Sequence, residues 1–315
     1  MKKRKMKKWP FVLVLLIIIG IGSYIGINNY LKKINSYSYK LKELGYSETQ
    51  IDTLKKKLDD KQLDNILKRK YSKRIVEFIK EKYFIFSKLD DYLKYDKSID
   101  VEKSYTDIVA IINVGTNNEF YQNSKETSVD LNELMLVNKF HNLTNDYKPT
   151  DLQELSNNYA YGTDQSLRKS AYDAFISMFE SAKKENVTLI VNSSYRPYSE
   201  QEQIYSDYGR WYGEEEADKI AARPGYSEHQ TGYALDIQSY NTNRNNFEES
   251  DAFKWLDSNA YKYGFILRYP KGKEYLTGYD YESWHFRYVG KKAAKYIKEN
   301  NITYDEYYAY FIEKK

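Results

Sequence analysis

Two short blocks near the C-terminus impose the strictest demand on any fold of this chain. They are Ser227-Glu228-His229-Gln230-Thr231-Gly232-Tyr233-Ala234-Leu235-Asp236 and Glu282-Ser283-Trp284-His285. Together they hold two of the three histidines in 315 residues, each near a carboxylate. Two imidazoles and one carboxylate, brought to one point, make a three-ligand metal site whose fourth position is open to water. The second carboxylate, beside the last ligand, is then available as a general base. The chain has no cysteine. Disulfides and thiolate ligands are therefore excluded, and a metal must sit on nitrogen and oxygen. This is the parts list of a zinc hydrolase.

The spacing within each block sets local requirements. His229 and Asp236 are seven apart with Gly232 between them. No regular helix or strand aims such a pair at one ion, so a bend is needed, and Gly232 can supply it. Residues 233–237 then read as a strand carrying Asp236. Glu282 and His285 are three apart and would face opposite ways in a regular strand. A turn at Ser283-Trp284 would let His285 coordinate while Glu282 leans over the metal. Alone, each pair reads as an ordinary surface or core pair; the two together point to a site. His141, the third histidine, lies outside both blocks and reads as a packed or surface residue.

Apolar runs bounded by turn residues predict strands over residues 108–114, 134–140, 188–193 and 286–289. Helical spacing predicts helices over 165–186, 214–222, 253–263 and 291–299, the first with Ala171, Phe175, Met178 and Phe179 on one face. Strands and helices mix without regular βαβ alternation. The expected class is α+β, a mainly antiparallel sheet flanked by helices.

The N-terminal part reads differently. No charged residue lies between Lys8 and Lys32, and residues 11–19 are uninterrupted hydrophobe. A helix over residues 9–31 would be roughly 34 Å long, enough for a bilayer core of about 30 Å. Six basic residues in the tail 1–8 would stay cytoplasmic and place the rest of the chain outside. A cleaved signal peptide is the rival reading, but no Ala-x-Ala site follows the apolar stretch. Residues 32–100 read as a small module of two to four short helices, with Ser47 and Gln50 as a capping box. Ile51, Leu54 and Leu58, then Leu63, Ile66 and Leu67, then Ile75, Phe78 and Ile79 recur at helical spacing. Residues 101–315 are left as the working domain.

The formal charge of +4 resides in the tail: without its six bases, 43 basic residues face 45 acidic ones. Nothing electrostatic supports a nucleic-acid partner. The 35 tyrosines suit a glycan-stacking surface, but Lys, Asn and Ile are also abundant, and biased composition is the simpler reading.

Three motifs occur in order: Tyr195-Arg196-x4-Gln201, then Pro224-Gly225-Tyr226 leading into the first block, then Glu282-x-Trp284-His285-Phe286-Arg287-Tyr288-Val289-Gly290. They resemble the VanY/LdcB-type D-alanyl-D-alanine carboxypeptidases, zinc peptidases of the M15 family with a hedgehog-like fold, over residues of about 130–300. The resemblance implies Zn2+ on His229, Asp236 and His285, with Glu282 as base, which agrees with the coordination chemistry. It also implies that Arg196 clamps the substrate carboxylate or the oxyanion, and that Gln201 and Ser227 contact the substrate terminus. Ser283 stands where the family commonly has Pro, and Pro197 where it commonly has Ser. The implied substrate is a peptidoglycan stem peptide outside the membrane. D,D- or L,D-carboxypeptidase action stays open, with endopeptidase action or a non-catalytic wall-binding module as alternatives.

Overall fold

The computed structural model describes residues 9–240 and 242–313, with side chains from residue 21 onward. The chain divides into two compact units, Met1–Val109 and Ala110–Lys315.

The first unit is helical. α1 (Trp9–Asn35) is followed by α2 (Tyr37–Glu43), α3 (Glu48–Lys57), α4 (Asp60–Leu67), α5 (Lys73–Lys80) and α6 (Leu89–Ser98). Residues 37–98 thus form five short helices, more than the two to four expected. Ser47 and Gln50 close the capping box read from the sequence, and Asp59 with Gln62 closes a second at α4. Each box satisfies two otherwise free N–H groups and fixes where a lysine-rich helix begins. Ile51, Leu54, Leu63, Ile66, Ile75, Phe78 and Ile79 are buried, as their spacing predicts. Among the described residues, no helix is long and apolar enough to cross a membrane. The basic tail, residues 1–8, and the side chains of the expected anchor's apolar centre lie outside the described residues.

The run expected as a strand over 108–114 is instead α7 (Tyr105–Val114). Ser104 decides the matter: its hydroxyl accepts from the Asp107 N–H at 3.0 Å and caps the helix start. Ile108, Val109, Ala110, Ile111 and Ile112 are all buried, so the run has no polar face from which its period could be read. The strand expected over 134–140 is also absent. The Met135 carbonyl in this run and that of Glu133 just before it instead accept from the Arg287 guanidinium, at 2.7 and 3.1 Å.

The second unit begins with two small pairs. β1 (Lys125–Glu126) runs parallel to β2 (His141–Asn142), and β3 (Leu152–Glu154) is antiparallel to β4 (Ser166–Arg168). Then follow α8 (Lys169–Lys184), β5 (Ile190–Ser193), α9 (Tyr198–Tyr212), α10 (Glu214–Ile220), β6 (Ala234–Gln238) and α11 (Asp251–Asn259). β7 (Phe265–Leu267), α12 (Glu274–Thr277), β8 (His285–Tyr288), α13 (Gly290–Asn300) and α14 (Tyr304–Phe311) complete the unit. The main sheet has the order β5-β6-β8-β7, every neighbouring pair antiparallel. This is the α+β architecture that the sequence predicts.

Strand alternation sorts the side chains of the sheet. Val191, Leu235, Ile237, Phe265 and Phe286 join Phe175 and Met178 of α8 in one buried cluster. Leu235 pairs with Phe286, and the next pair, Asp236 with His285, turns to the other face. The same two-residue period that builds the core therefore delivers two polar side chains, side by side, to one spot.

Candidate active site

Three elements converge where Asp236 and His285 meet. The first is a 3-10 turn, Glu228–Thr231, that carries His229. The Ser227 hydroxyl caps it by accepting from the His229 N–H at 3.3 Å. Gly232 ends it in the left-handed region at φ 71°, the bend needed to turn the chain into β6. A Cβ there would lie 2.9 Å from Cγ of Arg168 and 3.2 Å from Cδ2 of Leu152. Gly232→Ala is therefore expected to cost about 1–3 kcal/mol, read as a lower midpoint of thermal unfolding.

The second element is the end of β5. A register shift between Val191 and Ser193 brings Ser193 opposite Asp236. The Ser194 carbonyl accepts from His229 Nδ1 at 2.7 Å, so that nitrogen carries the proton and Nε2 presents its lone pair. The third is the turn at Ser283-Trp284, closed by the His285 N–H donating to the Glu282 carbonyl at 3.3 Å. It places Glu282 Oε2 3.7 Å from His285 Nδ1.

His229 Nε2 lies 3.5 Å from Asp236 Oδ1, and His285 Nδ1 lies 3.0 Å from the same oxygen. One donor atom from each of the three residues falls within 4.8 Å of the others. A tetrahedral zinc ion with bonds near 2.0–2.1 Å needs ligand atoms ~3.3 Å apart. All three side chains are buried. Burial pushes the His229 imidazole down to about 4, with Arg196 adding to the effect, so it is a neutral donor. Burial acts the same way on His285, but Asp236 and Glu228 outweigh it and raise this imidazole to about 9. The carboxylate field that favours a proton on His285 equally favours a cation between it and Asp236. The residues present therefore fit zinc.

His285 is held from behind. Its Nε2 faces Glu228 Oε2 at 3.5 Å. Glu228 Oε1 accepts from Arg268 Nε at 2.7 Å and from Arg287 Nη1 at 3.0 Å. Arg268 in turn makes a two-pronged pair with Asp305 of α14, at 2.6 and 3.1 Å. Asn138 donates to the same Asp305 at 2.8 Å. Burial alone would raise the Glu228 carboxyl, but the two guanidiniums hold it well below the usual carboxylate range. This fixed anion faces the His285 ring and favours a proton on Nε2, which leaves Nδ1 toward Asp236. His141 donates from Nδ1 to Asn138 Oδ1 at 3.1 Å and packs on Tyr308. It is a packed residue, remote from the ligand set.

The site opens into a cleft of about 200 Å³. Arg196, Gln201, Ser227 and Glu282 all line it, as the sequence predicts. Arg196 donates to Gln201 Oε1 at 2.6 Å and to Ser193 Oγ at 2.8 Å, and Gln201 donates onward to the Ala222 carbonyl at 2.7 Å. Burial pushes the Glu282 carboxyl up to about 7, with Asp236 adding to the effect and His285 opposing it. Sequence reasoning missed Arg244, whose Nη2 contacts the outer oxygen of Asp236 at 3.1 Å and whose guanidinium lies over Trp284. It stands outside all three motifs, and no sequence signal marks it. Glu228 was inside a motif, but its role shows only once Arg268 and Arg287 are seen around it.

Residues 164–291 match the profile of VanY, D-alanyl-D-alanine carboxypeptidase. YodJ of Bacillus subtilis (strain 168) is 46% identical over 186 residues, 56% of this chain and 67% of that protein. The chain belongs to the VanY family. Among solved structures, the LdcB LD-carboxypeptidase is 42% identical, with a TM-score of 0.56 over 60% of this chain and 91% of that one. A mutant of the VanY D,D-pentapeptidase from a VanB-type resistance cassette was solved in complex with Zn(II). It is 32% identical over 56% of this chain and 98% of its own, with a TM-score of 0.49. The VanY region contains His229, Asp236, His285, Glu282 and the Arg196 network. Asp305, which braces Arg268, lies beyond it on α14.

Proposed function

We propose that this chain is a zinc-dependent carboxypeptidase that removes the C-terminal D-alanine from peptidoglycan stem peptides outside the membrane. The observation that carries the reading is the meeting of His229, Asp236 and His285 in one buried cluster, with Glu282 and Arg196 lining the same cleft. Zinc held there would polarise the scissile carbonyl and make a water nucleophilic near neutral pH. Glu282 takes a proton from the attacking water as its oxygen bonds to the carbonyl carbon. It then returns that proton to the leaving D-alanine nitrogen as the C–N bond breaks. Arg196, held by Gln201 and Ser193, presents a fixed cation to the substrate carboxylate or to the developing oxyanion. Ser227 and Gln201 shape the pocket around that terminus.

Glu282 must be ionised to accept the proton. Its buried carboxyl is set near neutrality by the protein alone, and a cation at the ligand set pulls it lower. The rate kcat/KM is therefore expected to fall as pH drops below neutral, following one proton. A pH–rate profile without an acid limb would contradict Glu282 as the base.

The bond cut is tested by offering two defined stems, a pentapeptide ending in D-Ala-D-Ala and a tetrapeptide ending in a single D-Ala. Release of D-alanine from the first alone assigns D,D-action, and from the second alone L,D-action. Cleavage inside the stem instead would make the enzyme an endopeptidase. Binding without cleavage of either would leave a wall-binding module.

The proposed location rests on the N-terminal stretch. The uncharged residues 9–31 after six bases support a retained single-pass anchor with the catalytic part outside. The exposed Ile21, Ile25 and Ile27 of α1 suit an apolar surround. The helical module between anchor and enzyme is read as a spacer. Protease accessibility of the catalytic part in intact cells checks this, and protection until lysis would overturn it.

A further inference from the structure

The C-terminal turn of α9 carries an aromatic cluster that no core needs. Tyr208, Trp211 and Tyr212 lie at i, i+3 and i+4, on one face of the helix. The Tyr208 ring centroid is 5.9 Å from Trp211 and 5.8 Å from Tyr212. Trp211 is 67% exposed and Tyr212 57%. An isolated exposed tyrosine means little in a chain with 35 of them. An exposed tryptophan in ring contact with two tyrosines is a patch, and patches of this kind mark binding surfaces.

The patch continues the active-site cleft. Tyr208 lines the cleft wall, and the other two rings extend that wall outwards. Next in the chain come Glu214, Glu215 and Glu216, all exposed. These carboxylates oppose an anionic occupant such as a phosphate polymer, a nucleic acid or an acidic lipid surface. Aromatic faces flanked by hydrogen-bond acceptors suit a neutral ring with apolar C–H faces and hydroxyl edges. That is the chemistry of a saccharide.

We infer that Trp211 and Tyr212, with Tyr208, form a subsite for a sugar ring of the glycan strand to which the stem peptide is attached. The inference rests on the carboxypeptidase reading above and deepens it. The three or four stem residues before the cut bond, fully extended, reach at most about 10–14 Å from it. The first sugar therefore leaves the cleft close to its mouth. The subsite sets which form of the substrate is preferred and leaves the chemistry at Glu282 untouched.

The test uses the full chain and the double variant Trp211→Ala/Tyr212→Ala, both exposed positions. Two substrates are compared: the free stem peptide and the same stem joined to its amino-sugar disaccharide. The wild type is expected to favour the sugar-linked stem by about tenfold in kcat/KM, carried by KM. The double variant is expected to lose that preference and keep its rate on the free stem. Equal rates of the wild type on both substrates, or an equal loss by the variant on both, would overturn the subsite. Should the wild type cleave neither stem, the carboxypeptidase reading fails, and the subsite is then judged by titrating the disaccharide alone against tryptophan fluorescence. Saturable quenching in the wild type that the Tyr212→Ala variant weakens supports the subsite; no quenching overturns it.

Discussion

Glu282→Gln is expected to lower D-alanine release by about three orders of magnitude, within the range seen when a positioned general base is removed. Glutamine keeps the size and the hydrogen-bonding edge of glutamate but accepts no proton. It leaves His229, Asp236 and His285 in place, and His229 stays tied to the Ser194 carbonyl. Zinc content should therefore stay at one per chain, and the unfolding midpoint should not fall, since a buried carboxyl is relieved. Measured together, metal content and turnover separate a missing base from a missing metal. Near-normal turnover in Glu282→Gln would mean that another group moves the proton. Loss of zinc along with activity would mean that Glu282 is a ligand.

Arg268→Met is expected to be the most damaging change to stability in the second unit. The Arg268 side chain is fully buried, as is that of Glu228, and Asp305 is almost so. Methionine fills much of the volume but leaves Glu228 with Arg287 and the facing His285 ring, and Asp305 with Asn138. Removing one member of a buried charged network costs about 3–5 kcal/mol, because the partners stay desolvated and unpaired. In a unit of this size each kcal/mol shifts the melting point by roughly 2–4 °C, so a fall of about 6–20 °C is expected by calorimetry. The loss should reach the metal site too, since Glu228 orients His285. Zinc affinity should weaken by about 10–100-fold, the usual penalty for a lost outer partner of a ligand. A melting point within a few degrees of wild type would show that the network relaxes around the gap.

The cluster of His229, Asp236 and His285 was legible because so few residues could form one. With no cysteine and three histidines, two of them beside carboxylates, the choice of donors was nearly forced. The turn at Ser283-Trp284 and the bend at Gly232 were legible for a related reason: without them the spacing makes no site. Three of the four strands of the main sheet, β5, β6 and β8, were legible as short apolar segments, as in Ala234–Gln238; β7 (Phe265–Leu267) was not. The apolar run of α7 did not yield, because a helix buried on all sides and a buried strand look alike in composition. The Ser104 cap was the available clue. The segment after Glu133 misled for another reason: its carbonyls bond to Arg287, more than 150 residues away. The Glu228–Arg268–Asp305 network was invisible for the same cause. Its members lie 37 and 40 residues apart, with no period to connect them. Arg244 reaches Asp236 from a loop that carries no motif at all.

Zinc on His229, Asp236 and His285 is proposed to enable this chain to release D-alanine. The most direct measurement follows D-alanine release from stem peptides by the full chain before chelation, after chelation, and after one equivalent of zinc is returned. Release is expected to stop with the chelator and to return with stoichiometric zinc in the wild type, but not in His229→Ala. Release that persists in the metal-free protein would contradict it.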